Sequence, residues 1–189
     1  IKETWRDLGD SGQRISIYES AVLGDSIFLA TEKGILAGNF NDNLLDFSRW
    51  KRNDENEFNT VIQHVAVFNN SVFATINNDG IYTNETGSWT KEGFLQDVVF
   101  QSLQSSVSHL AIISNNQIWK LASSGELTTV SSPLITMPQV AIADNTTFWI
   151  GDGGNGLISN TNGQSVNYLP NGPTFLQATR LTFHEKKLY

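Results

Sequence analysis

Val67-Phe68-Asn69-Asn70-Ser71-Val72-Phe73-Ala74-Thr75, with Asn78-Asp79-Gly80-Ile81-Tyr82 close behind, is the stretch on which the fold turns. A run of β-branched and aromatic residues stops at two asparagines, which tolerate the positive φ of a tight hairpin turn. A second run follows. It stops at a glycine-bearing turn and gives way to a third. Three short strands joined by tight turns are the direct reading.

The same grammar recurs outward from this stretch. Upstream it is Val22-Leu23-Gly24-Asp25-Ser26-Ile27-Phe28-Leu29-Ala30-Thr31, then Glu32-Lys33-Gly34-Ile35-Leu36. Downstream it is Ala143-Asp144-Asn145-Thr146-Thr147-Phe148-Trp149-Ile150-Gly151, then Asn155-Gly156-Leu157-Ile158. A degenerate copy runs from His109 to Ile113 and on through Asn115-Asn116-Gln117-Ile118-Trp119, and a fifth begins at Leu181 and reaches Tyr189. Gly34 to Gly80 is 46 residues, Gly80 to Gln117 is 37, and Gln117 to Gly156 is 39. A period near ~40 with four strands per unit is that of β-propeller blades. The middle runs alternate only weakly between apolar and polar residues, as expected of strands covered on both faces. Each unit needs an outer fourth strand, and Trp50 and Trp89 fall at that position.

The expectation is an all-β chain, a partial β-propeller of about four four-stranded antiparallel blades at 15–52, 59–94, 96–134 and 136–173, with 174–189 starting a further blade. Nothing reads as a terminal cap, so the chain is expected to be a piece of a longer propeller, and open blade edges are expected to favour self-association. Leu44, Leu45, Phe47 and Trp50 have a spacing that suits one or two helical turns between Asn41 and Trp50.

Composition narrows the function. The 189 residues include 12 Lys and Arg against 19 Asp and Glu, for a formal charge of −7. That balance argues against a nucleic-acid partner, whose phosphates call for clustered cations. Cysteine is absent, which excludes thiol catalysis, zinc-thiolate sites and disulfides. No apolar run approaches the ~18 residues of a membrane helix. Asn accounts for 19 of the 189 residues, so the sequon matches at Asn69, Asn84 and Asn145 read as turn chemistry.

The candidate chemical groups read as structural. His64, His109 and His184 each lie in or beside an apolar run, without a partner at metal-ligand spacing. Asp152-Gly153-Gly154-Asn155-Gly156 lacks the alternating acidic ligands of a calcium loop and the lysine of a phosphate loop. It reads as a glycine-rich surface turn without metal, in which the glycines rather than the carboxylate carry the geometry. Trp149, Phe148 and Ile150 read as core, so Trp149→Ala is expected to cost more than Asp152→Ala. Asp54, Glu55 and Glu57 form a polar linker. Thr83-Asn84-Glu85-Thr86-Gly87-Ser88-Trp89 looks like the aspartate-box turn of sialidase-type propellers, with Glu85 in the aspartate's place. A sialidase-like or lyase-like enzyme would need an arginine cluster or paired carboxylates on one rim, and Arg6, Arg14, Arg49, Arg52 and Arg180 do not occupy equivalent blade positions. No catalytic, cofactor or metal residue is assigned, and the ligand-binding residues are left open.

Thr147-Phe148-Trp149-Ile150-Gly151-Asp152-Gly153-Gly154-Asn155-Gly156-Leu157 is similar to the central hairpin of two-component-regulator-type propellers. With Tyr168-Leu169-Pro170-Asn171-Gly172-Pro173 and the closing Lys187-Leu188-Tyr189, it resembles the PorZ-like propellers of the Bacteroidetes type IX secretion system. The likeness covers residues 143–189 and is only blade-level over 15–130. It implies a non-catalytic scaffold in the periplasm or on the outer-membrane surface. It further implies PorU-, PorV- and PorQ-like partners, or a lipopolysaccharide or other surface glycan. Ligand binding in that family is assigned to a C-terminal domain, so no binding residue carries over. The alternative is the ligand-sensing propeller of a hybrid two-component system, which shares the blade pattern.

Overall fold

The computed structural model describes residues 7–54, 56–85, 87–144, 146–168, 182–184 and 187–188, the last group and residues 183 and 184 by backbone alone. Four four-stranded antiparallel sheets account for most of them, each a simple meander in chain order. The first holds β1 (Ile17–Leu23), β2 (Ser26–Thr31), β3 (Gly34–Asn39) and β4 (Lys51–Asn53), and the second β5 (His64–Phe68), β6 (Ser71–Ile76), β7 (Gly80–Asn84) and β8 (Trp89–Lys91). The third holds β9 (Phe100–Ser105), β10 (His109–Ser114), β11 (Gln117–Ala122) and β12 (Leu127–Val130), and the fourth β13 (Pro138–Asp144), β14 (Thr147–Asp152), β15 (Gly156–Thr161) and β16 (Gln164–Tyr168). A two-stranded pair follows, β17 (Phe183–His184) with β18 (Lys187–Leu188). Most of the segment 174–189 lies outside the described residues, as do Trp5, Arg6, Arg180 and the Pro170-Asn171-Gly172-Pro173 stretch. The chain divides into two compact units, Ile1–Asp97 with the first two sheets and Val98–Tyr189 with the rest.

Turn chemistry sets the register. Asn69 and Asn70, then Asn115 and Asn116, then Asn162 and Gly163, each take positive φ at both positions, the geometry of two-residue type I′ hairpins. The landmark positions Gly34, Gly80, Gln117 and Gly156 each open the third strand of their sheet. Gly34 has φ +76, and a Cβ there would lie 2.2 Å from the Asn53 carbonyl oxygen and 2.8 Å from that of Phe58. Gln117 can replace glycine because Asn115 and Asn116 carry the left-handed conformations in its sheet.

Packing within the first unit joins its two sheets. Ala30 and Ile35 of the first sheet share a core with Val65, Val72, Ala74, Ile76 and Tyr82 of the second, with Phe58 and Ile62 filling in from the connecting segment. All six residues of β6 are buried, which is why that run shows no alternation. The other face of the first sheet is covered by the chain itself. Leu8, Ile15, Leu44 and Trp50 bury Ile27, Leu29 and Leu36. Gly38 makes room for this cover, since a Cβ would meet Leu44 at 2.7 Å and Trp50 at 2.9 Å. The stretch from Asn41 to Trp50 is thus a lid rather than a helix. Its only helical part is a 3₁₀ turn at Phe47–Arg49, capped by the Asp46 side chain accepting from the Ser48 amide. The helical spacing is produced by two residues, Leu44 and Trp50, reaching one sheet face from an irregular loop.

In the second unit, Ala111, Ile113, Ile118 and Val130 of the third sheet pack against Ala141, Ala143, Phe148, Ile150 and Ile158 of the fourth. Phe148 and Ile150 are therefore core. Trp149 is not, which corrects the reading of the whole run as interior. It points to the opposite face, is half-buried, and stacks on Tyr168 with ring centroids 5.5 Å apart at 42°. Tyr168 is itself 45% exposed.

Gly34→Ala should cost at least about 3 kcal/mol, combining left-handed strain with a backbone clash. Gly163→Ala, at φ +83 with nothing within 4 Å of its Cβ, should cost only about 1 kcal/mol. Urea unfolding of the two variants measures both. Equal losses would mean that the close approach at Gly34 carries no energy.

Candidate functional site

His64 and His109 belong to different units and each has its own local partners. His64 opens β5 with Nδ1 3.4 Å from Glu19 Oε2, which also accepts from the Val65 amide at 3.1 Å. This ties β1 to β5. His109 packs edge-on to Phe148, with centroids 5.8 Å apart, and its Nδ1 lies 2.9 Å from Ser108 Oγ. Burial, helped by Lys120, pushes its pKa down, so it sits in the fold as a neutral ring. The side chain of His184 lies outside the described residues. Among the described residues, no group of three or more His, Asp or Glu could hold a metal ion.

Asp152 departs most from the sequence reading. It is 0% exposed, and its carboxylate accepts five hydrogen bonds. Oδ1 takes the Thr136 hydroxyl and the Gly154 and Asn155 amides, each at 2.9 Å. Oδ2 takes the Thr136 amide at 2.8 Å and that of Met137 at 2.7 Å. Asn155 Nδ2 adds a bond to the Leu134 carbonyl at 2.8 Å, and the Gly153 amide bonds that of Met137 at 2.8 Å. The glycine-rich turn is thus organised by its carboxylate, because a buried anion takes every donor in reach. With five donors converging on it, the carboxylate offers a cation nothing without breaking them. Burial pushes the carboxyl pKa up, but the amides of Met137, Thr136 and Asn155 and the Thr136 hydroxyl outweigh that and hold it below its ordinary value.

A looser version of this clamp appears in every sheet. The turn between the second and third strands bonds the segment leading into the first. Glu32 accepts from the Ser16 amide and hydroxyl, each at 3.1 Å. Asn77 Nδ2 reaches Gln63 Oε1 at 3.4 Å. Asn116 and Gln101 exchange two bonds, at 2.6 and 3.1 Å, and the Asn115 amide bonds the Val99 carbonyl at 3.1 Å.

The turn between β7 and β8 also differs from the aspartate-box reading. Asn84 Oδ1 accepts from the Gly87 amide at 2.8 Å and holds the turn, leaving Glu85 exposed. Nearby charges are consumed in pairs. Asp79 accepts from Lys91 and, at 2.6 Å, from the Tyr82 hydroxyl. These bonds hold the Asp79 pKa below its ordinary value, while burial and that carboxylate push the Tyr82 phenol far above its own. Arg52 reaches Asp10 at 3.3 Å and the Leu8 carbonyl, and Arg49 reaches Asp46 at 3.9 Å. The arginines at these positions tie down their own surroundings and do not converge on a rim.

One concave feature of the first unit, among the described residues, is a cleft of about 250 Å³ between its two sheets. Phe28, Ala37 and Leu23 line one wall and Val72 the other, and Ser26, Asn53, Lys51, Asn84, Glu85 and Gly87 complete it. The register explains the walls. Phe28, Ala37 and Lys51 are cross-strand neighbours on the first sheet, and Val72, Asn84 and Trp89 on the second. No sequence reading singled out this group, since its members are spread from residue 23 to residue 87 and share no motif.

No family model matches the sequence, and a search of curated proteins finds no significant match. Solved structures do match. The extracellular domain of the one component system BT4673 from B. thetaiotaomicron superposes with a TM-score of 0.67 at 13% identity, over 90% of this chain and 25% of that one. PorZ, a surface component of the type IX secretion system of Porphyromonas gingivalis, gives 0.67 at 19% identity, over 94% and 24%. The WD40 domain of Neurospora crassa Pan2 gives 0.66 at 10% identity, over 94% and 59%. The four sheets are therefore β-propeller blades. The chain spans about a quarter of the length of the first two of these structures.

Asp152→Ala should cost about 3 kcal/mol, since it strands several buried donors at once. Trp149→Ala should cost less, about 1–2 kcal/mol, because the ring is only partly buried and lies outside the inter-sheet core. Because the folded pKa of Asp152 lies below its unfolded value near 3.8, its contribution is complete above about pH 4 and fades as pH falls further. Thermal melts from pH 7 to pH 2 should show an acid loss that Asp152→Asn removes. An Asp152→Asn profile parallel to wild type would contradict this.

Proposed function

We propose that this chain belongs to a non-catalytic binding and scaffold propeller on the bacterial cell surface, of the type IX secretion kind. The observation that carries the reading is the likeness to PorZ over 94% of this chain, at higher identity than the BT4673 domain shows. The resemblance of residues 143–189 to the same family, noted from sequence, supports it independently. The partners proposed are PorU-, PorV- or PorQ-like secretion proteins, or a lipopolysaccharide or other surface glycan, and the location is the outer-membrane surface or the periplasm. The absence of catalysis is part of the proposal. Among the described residues Arg49 and Arg52 are each held in a separate ion pair with a neighbouring aspartate, which supports the absence of the arginine cluster that a sialidase-like site needs.

The second reading is a ligand-sensing propeller of a one- or two-component system. It is favoured by the equal TM-score of the BT4673 domain. Both readings place a binding surface on the same fold, and a fold by itself does not choose between them.

The full-length protein decides. A co-precipitate from detergent-solubilised outer membranes containing a sortase-like secretion protein, or saturable binding of purified lipopolysaccharide, is the expected result. A downstream membrane helix of ~20 apolar residues followed by a kinase would give the sensor reading instead. Hydrolysis of a glycan panel above a buffer blank would end the non-catalytic one.

A further inference from the structure

The fourth sheet ends on an open edge. Among the described residues β16 pairs with β15 alone. The two-residue turn at Asn162 and Gly163 closes that hairpin on Thr161 and Gln164, which makes them a hydrogen-bonded pair. Counting along the strand from there, Gln164, Val166 and Tyr168 direct their amides and carbonyls at β15, and Ser165 and Asn167 direct theirs away from the sheet. Among the described residues nothing bonds these outward groups. The other outer strands are shorter or guarded by charge, as sheet edges usually are. β4 has three residues and carries Lys51 and Arg52, β8 has three and carries Lys91, and β12 has four and follows Glu126. β16 has five residues, none charged and none proline. Val166 lies in the cross-strand row of Trp149 and Ser159, and Tyr168 is on the same face. These two are the exposed large apolar residues among the described strands of the second unit, at 54% and 45%.

From this edge we infer that β16 pairs antiparallel with β16 of a second copy of the chain, about a two-fold axis at Val166. The outward residues flank Val166 symmetrically. Each Ser165 therefore meets the Asn167 of the second copy, and the two pairs exchange four backbone hydrogen bonds that use every outward group of both residues. Val166 then stands directly opposite its own copy, in the close register of a non-hydrogen-bonded pair. Tyr168 stands opposite Gln164 of the second copy and diagonal to its Val166, so both exposed apolar side chains gain a partner. Charge selects the occupant. An edge without charge offers nothing to a partner of opposite sign, and it brings no repulsion to a second copy. The formal charge of −7 is carried elsewhere, since residues 153–179 include no charged side chain. A seam of five residues is short, and association has its own entropic cost, so the dimer is weak and concentration-dependent. The inference goes beyond both functional readings above and needs only the fourth sheet.

Sedimentation velocity of the full chain across a dilution series reads the dimer, and a thermal melt checks that each variant is folded. Wild type is expected to pass from monomer to dimer as concentration rises. Val166→Lys and Val166→Glu, at an exposed position, each set like charges face to face on the axis. Each is expected to weaken the dimer at least about tenfold. An equimolar mixture of the two variants sets opposite charges face to face and is expected to associate at least about tenfold more tightly than either variant alone. Amide hydrogen exchange followed by NMR gives a second readout. Ser165 and Asn167 are expected to exchange fast in the dilute chain and slowly at high concentration, with Val166 protected in both. A dimer that neither variant weakens, or a mixture that recovers no association, overturns the inference. A chain that stays monomeric with Ser165 and Asn167 exchanging fast throughout leaves the edge to a strand of another protein and overturns it. Slow exchange at both residues in the dilute chain means that another part of the same chain covers the edge, and this also overturns it.

Discussion

Each sheet is pinned by the same polar contact, a side chain or amide in its second turn holding the segment that leads into its first strand. Hairpins alone would leave this lead-in free, because the antiparallel ladders fix the four strands of a sheet against one another but say nothing of the chain that arrives from the previous sheet. The contact ties the lead-in to the second turn, while the ladder to the second strand sets which side chains of the first face inward. A one-residue slip would turn every one of them over. The contact is met by Glu32 with Ser16, by Asn77 with Gln63, by Asn115 and Asn116 with Val99 and Gln101, and by Asp152 with Thr136 and Met137. Strength follows burial. Glu32 is only half-buried, with water as a competing partner, whereas Asp152 is fully enclosed and has none.

With the junctions set, the apolar rows meet across sheets. In the first unit this places Ala30 and Ile35 against Val65, Val72 and Ala74, with Phe58 filling the gap and packing at 5.1 Å on both Tyr82 and Trp89. The cleft lined by Phe28, Ala37 and Val72 lies between these same two sheets. The cleft is the space left over, so its walls inherit the rigidity of two hydrogen-bonded ladders.

The chemistry along the chain is mostly directed inward. Asp79, Tyr82 and Lys91 form one closed set, Arg52 and Asp10 another, and His109 is held neutral against Phe148. Charges committed to structure in this way stabilise the turns they sit in.

Much of the fold was legible in the sequence. Tight turns demand particular residues, and asparagine pairs and single glycines announce them wherever they fall. The period between Gly34, Gly80, Gln117 and Gly156 marks third strands because left-handed backbone is costly for most residues: Gly34 and Gly156 adopt it themselves, whereas before Gly80 and Gln117 it falls on Asn78 and on Asn115 and Asn116. Local rules of this kind need no neighbour. The functions of Asp152, Trp149 and the Asn41–Trp50 stretch were not legible, because each depends on what lies across a gap in the chain. Asp152 finds donors sixteen residues away, Leu44 and Trp50 find an open sheet face, and Trp149 finds only Tyr168 where Ile150 finds a core. The cleft is the extreme case. Its lining comes from strands and turns between residues 23 and 87, and only the packing of one sheet on another brings those residues together. Backbone conformation is chosen residue by residue and can be read from the chain, whereas burial and charge pairing are properties of the space between segments, which exists only once they have folded together.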